Sequence, residues 1–89
     1  IMSSTIENLK KKIIYRSQYR GTKEMDKLLS GFVSKYINDF DLDQLNELEI
    51  FLGIDDENLY KFYNNLETDY HFKNNEINNL FKNFKLNKK

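Results

Sequence analysis

The chain has 89 residues, with 14 Lys and Arg balanced by 14 Asp and Glu, no cysteine, no proline, no tryptophan and a single histidine, His71. That length carries one domain with one modest core, burying about two-thirds of the unfolded surface. It leaves no room for a deep two-sided enzyme cleft. The missing cysteines exclude a disulfide framework, a thiolate metal site and a thiol nucleophile, and a lone histidine removes most imidazole-based metal and acid–base constellations. The abundance of Asn, Lys, Ile, Phe and Tyr, with no alanine, follows AT-rich codons. This points to a bacterium with a reduced, AT-rich genome, and with no apolar signal-peptide core after a basic start a cytoplasmic protein is expected. No apolar run reaches transmembrane length, so no membrane insertion is expected.

The net charge is zero but unevenly spread. Residues 1–24 carry six basic and two acidic side chains (+4), residues 25–70 three and eleven (−8), and residues 71–89 five and one (+4). A basic edge on an acidic body suits oriented docking on another protein better than the coating of a nucleic acid.

Five helices are predicted in chain order, forming an all-α, compact, irregular bundle in a single domain over residues 1–89. Ser4-Thr5-Ile6-Glu7 fits a capping box, and Ile6, Leu9 and Ile13 recur at helical spacing, giving a first helix over about 5–19. Gly21 is expected to end it in the left-handed conformation, with Thr22 capping the next helix over 22–37. Met25, Leu28, Leu29, Phe32, Val33, Tyr36 and Ile37 mark that second helix as the core helix. Asp41 and Gln44 form a second capping box before a helix over 42–52, which Gly53 ends. Asp55 and Asp56 open a helix over 56–66 with the face Leu59, Phe62, Tyr63 and Leu66. A polar connector containing His71 precedes a helix over 76–85, faced by Ile77, Leu80, Phe81 and Phe84. The basic tail 86–89 is expected to fray.

Most candidate chemistry dissolves into capping and solvation. Asp39-Phe40-Asp41-Leu42-Asp43 resembles the start of a calcium loop, yet Gln44 replaces its turn glycine and Ile50 its bidentate glutamate, so no metal site is expected. Glu47 and Glu49, two residues apart on a helix, cannot face one another. The glycines at 21, 31 and 53 form no phosphate loop.

The stretch from Tyr15 to Asp26 is different. It holds both arginines of the chain, Arg16 and Arg20, four residues apart, with Tyr15 and Tyr19 on the same spacing, beside a bare glycine. One reading is local: Gly21 as a cap, Glu24 at a helix N-terminus, and Arg20 paired with Glu24. The other is a binding hot spot. A bare turn lets a partner's backbone approach, arginine offers bidentate contacts and tyrosine a low-entropy anchor.

Tyr15-Arg16-Ser17 and Arg20-Gly21-Thr22-Lys23-Glu24-Met25-Asp26 resemble the signature of the succinate dehydrogenase assembly factor 2 family, the SdhE-type FAD assembly factors of bacteria, marked by Arg-Gly-x-x-Glu. The likeness continues through Leu28, Leu29 and Phe32 and resumes at Asp55-Asp56-Glu57-Asn58-Leu59-Tyr60-Lys61-Phe62. That segment is similar to the family's Asp-Pro-Asp-Leu-Tyr-x-Trp, with Glu57 in place of proline, Asn58 of aspartate and Phe62 of tryptophan.

The resemblance implies a non-enzymatic five-helix chaperone. It would bind the flavoprotein subunit of succinate dehydrogenase or fumarate reductase and promote covalent attachment of FAD to a histidine of that subunit. Carried over by position, Arg20, Gly21 and Glu24, with Arg16 and Tyr19 beside them, would contact the client. FAD would belong to the client, with none bound intrinsically, and the free protein would be a monomer that binds no nucleic acid. An antitoxin-like or general helical interaction module stands as the alternative, with nucleic-acid binding behind it.

Overall fold

The computed structural model describes residues 2–85, with side chains from residue 5 onward. Among these residues the chain forms five α-helices and no strand: α1 (Met2–Ser17), α2 (Lys23–Tyr36), α3 (Leu42–Leu52), α4 (Asp56–Tyr63) and α5 (Glu76–Asn83). α1 packs against α2 and α3, while α5 packs against α3 and α4.

Local chemistry accounts for most boundaries. The Thr22 hydroxyl accepts the Met25 N–H at 3.1 Å and starts α2. Asp41 and Gln44 cap α3 reciprocally, each side chain accepting the other's backbone N–H at 2.9 Å. These bonds satisfy amides that the first turn of a helix leaves without intrahelical partners.

Four boundaries depart from the expectation by more than one residue. α1 starts at Met2 rather than near Thr5, because no glycine or proline interrupts the backbone there. The expected Ser4 cap falls within the helix, and its side chain lies outside the described residues. α1 also stops at Ser17 rather than Tyr19, because Tyr19 adopts a left-handed backbone with φ 58°.

α4 ends at Tyr63 rather than 66. Asn65 turns left-handed at φ 62°, its N–H donating to Phe62 O at 3.2 Å while the Leu66 N–H reaches back to Lys61 O at 2.8 Å. That is a Schellman closure with asparagine in glycine's usual place. It throws Leu66, expected on the buried face, out to 55% exposure. α5 ends at Asn83 because Phe84 is already extended. The tail 86–89 lies outside the described residues.

The core is built around Phe32 of α2, which is fully buried. Its ring meets Tyr36, Phe81 and Phe84 edge-on at centroid distances of 5.3, 5.3 and 5.6 Å, with Phe51 at 6.0 Å. Edge-to-face packing sets the positive ring edge of one aromatic against the negative face of another. Leu29, Val33, Leu45, Leu48, Leu59 and Ile77 fill the spaces between. α5 joins this core through Ile77, Phe81 and Phe84. It is pinned there by the Tyr63 hydroxyl, which donates to Phe84 O at 2.6 Å.

Phe32→Ala should therefore destabilise the protein by about 3–5 kcal/mol, the usual cost of truncating a fully buried phenylalanine. A denaturant titration reads this directly, and an unchanged midpoint would place the core elsewhere.

Candidate docking corner at the α1–α2 junction

Three helix ends meet at one side chain. The Arg20 guanidinium donates through Nη1 to Arg16 O at 2.9 Å and to Leu52 O at 3.0 Å, and through Nη2 to Ile54 O at 3.2 Å. Arg16 O and Leu52 O belong to the last turns of α1 and α3, where carbonyls lack intrahelical donors and the helix dipole favours a cation. The same guanidinium grips Asp56, in the first turn of α4, with Nε at 2.8 Å and Nη2 at 2.7 Å from Oδ1. A carboxylate is favoured there because the dipole reverses.

The backbone around Arg20 is held as firmly. The Arg20 N–H donates to Asp26 Oδ1 in α2, and the Gly21 N–H donates to the second Asp56 oxygen, Oδ2, at 2.7 Å. Asp56 thus spends one oxygen on the arginine side chain and the other on the next residue's amide. The pair is well shielded, the Arg20 side chain being 11% exposed and that of Asp56 26%.

Two expectations are corrected here. Gly21 is not the left-handed residue: no glycine has a positive φ, and Tyr19 makes the turn instead. Gly21 matters for space, since a Cβ there would sit 3.0 Å from Asp56 Oδ2. Nor does Arg20 pair with Glu24; its acid is Asp56, 36 residues away. Sequence reasoning missed Asp56 because capping already explained it and the pairing is non-local. Its position at the start of α4, inside a segment that resembled the family, was the available signal.

The remaining residues of the corner face outward. Arg16, Gly21 and Glu24 are exposed, and neither Arg16 nor Glu24 forms an ion pair among the described residues. Tyr15 and Tyr19 are 66% and 74% exposed, with ring centroids 5.2 Å apart and planes tilted by 48°. Behind Glu24, Met25 and Leu28 of α2 and Tyr60 and Tyr63 of α4 line a groove. Arg16, Tyr19 and Gly21 thus line one shallow depression with Arg20 and Asp56, while Glu24 lines the separate groove.

Next to the clamp, Asp55 caps α4. Its carboxyl lies below its usual range, chiefly because the Asn58 side-chain amide donates to it at 2.7 Å. A pKa lowered by folding gives stability that is present above the ordinary carboxylate pKa and is lost as pH falls through the lowered value. The cap therefore weakens only in acid.

Residues 11–85 match the protein family described as the flavinator of succinate dehydrogenase. The chain belongs to that family. It is 31% identical over 91 residues to succinate dehydrogenase assembly factor 2 of Candida glabrata, a mitochondrial protein, covering 98% of this chain and 60% of the relative. It is 39% identical over 56 residues to the Scheffersomyces stipitis protein of that name, covering 63% of this chain and 38% of the relative. A third relative, assembly factor 2-B of Drosophila willistoni, is 49% identical over 39 residues, covering 44% and 25%. The chain thus spans at most 60% of the length of these relatives. They are eukaryotic and mitochondrial, and lend no support to the expected bacterial source. No solved structure matches the chain significantly. Among the described residues, no helix is long and apolar enough to cross a membrane.

Arg20→Lys should cost about 2 kcal/mol of stability despite keeping the charge, because an ammonium cannot present the planar fork that serves three carbonyls and a carboxylate together. Chemical denaturation of the two proteins measures this. Equal midpoints would show that charge, not fork geometry, holds the junction.

Proposed function

We propose that this chain is an assembly factor for the flavoprotein subunit of succinate dehydrogenase, docking on it through the α1–α2 corner and promoting covalent attachment of FAD. A fumarate reductase flavoprotein is the second client of the same class. The observation that carries this reading is the exposed Arg16, Tyr19 and Gly21 beside a fully engaged Arg20, with Glu24 exposed in the first turn of α2, in a chain of the flavinator family. The exposed residues would make the contacts. Arg20, assigned to the contact set from its motif position, would contribute by fixing their geometry.

The flavin is assigned to the client. In support, the two groups of the corner best suited to grip a phosphate, the Arg20 guanidinium and the Gly21 N–H, are both committed to Asp56. The helper itself would carry out no covalent step. Its binding energy would favour the client arrangement in which flavin and acceptor side chain meet, and differential affinity for that arrangement is all a chaperone of this kind needs. Its compartment would be that of its client, mitochondrial in a eukaryote and cytoplasmic in a bacterium.

Co-expression with the flavoprotein subunit of the same organism tests the reading, with covalent flavin followed by in-gel fluorescence. Glu24→Ala and Gly21→Arg should each lower covalent flavin severalfold, the first by removing an anchor and the second by filling the space a partner's backbone would occupy. Wild-type flavin levels from both variants, each verified as folded, would contradict the assignment.

A further inference from the structure

Tyr19 is anomalous. A tyrosine is rarely left-handed, because its Cβ crowds the following carbonyl, and this one is also the most exposed large hydrophobic side chain described. Among the described residues, its ring pairs with that of Tyr15. Immediately after it, Asp26 takes the Arg20 N–H while Asp56 takes the Arg20 side chain and the Gly21 N–H. Strain of this kind persists only where the surroundings over-determine it.

We propose that Asp56 is a positioning residue for docking: by holding Arg20 and Gly21 on its two oxygens, it fixes Tyr19 in its left-handed turn and presents the Tyr19 ring beside Tyr15 and Arg16. Asp56 makes no contact with the client in this account. The proposal rests on the docking reading above and adds the residue on which the shape of that surface depends.

The chemistry of the clamp sets its own test. A carboxylate accepts at both oxygens, whereas an asparagine amide accepts at one and donates at the other. In Asp56→Asn, either the Arg20 guanidinium or the Gly21 N–H must face an NH2 group. In Asp26→Asn, the single amide oxygen can still accept the single Arg20 N–H. The first variant should release Tyr19 and the second should not, although each removes one negative charge.

Two readouts on the full chain separate this from a merely structural role. One is the Tyr15–Tyr19 ring-to-ring nuclear Overhauser effect in the free protein, which the 5.2 Å centroid separation makes observable. The other is affinity for the isolated flavoprotein subunit, measured well below the unfolding midpoint, with the core variant Val33→Ala as a control for stability loss. Asp56→Asn should lose the ring contact and bind about tenfold more weakly, the effect of one disrupted charge-assisted contact. Asp26→Asn and Val33→Ala should keep both.

Retention of the ring contact in Asp56→Asn overturns the proposal, whether or not affinity falls. So does a lost ring contact with affinity intact, or an equal loss of affinity in Val33→Ala. If the wild-type protein does not bind the flavoprotein subunit at all, the docking reading fails, and with it the role of Asp56 in docking. The ring contact in the free variant still decides whether Asp56 holds Tyr19.

Discussion

The pairing of Arg20 with Asp56 is the constraint on which the rest of the corner depends. Two helix C-termini, those of α1 and α3, bring carbonyls that need donors, and one helix N-terminus, that of α4, brings a carboxylate that needs a cation. A single planar guanidinium answers all three. Replacing the arginine leaves buried acceptors without donors, which costs more than the pairing itself contributes. The junction therefore works as one unit, and its outer surface inherits that rigidity.

The core and the candidate docking corner occupy two parts of a small chain. The core is an aromatic cluster around Phe32, with α5 closing it through Phe81 and Phe84. The corner joins the core through Leu52 and Ile54, buried residues whose carbonyls accept from Arg20. With no cysteine, and no metal-binding cluster among the described residues, the corner is held by hydrogen bonds and the Arg20–Asp56 ion pair.

Much of this was legible in the sequence. The i, i+3, i+4 spacing from Met25 to Ile37 identified the core helix, and Thr22, Asp41 and Asp55 marked helix starts because capping is local chemistry. What escaped was non-local or conformationally unusual. Tyr19 and Asn65 end helices in the left-handed conformation, where glycine was the expected residue and Gly21 stood two positions away. Choosing between them requires knowing that Gly21 must offer its N–H, and its lack of a Cβ, to Asp56. The partner of Arg20 was misassigned for a related reason: Glu24 is four residues off and visible in the pattern, whereas Asp56 is brought near only by the packing of α1 on α3, whose end leads through residues 53–55 into α4. The motif drew attention to this corner, and the structure separates its internally engaged Arg20 from the exposed Arg16, Tyr19, Gly21 and Glu24.

Amide hydrogen exchange, with and without the flavoprotein subunit, tests the central claim most directly. If the corner docks the client, adding the subunit should slow exchange over residues 15–24 and leave α5 and the connector 64–75 unchanged. Protection confined to α5 and the connector, with 15–24 exchanging as in the free protein, would contradict the account.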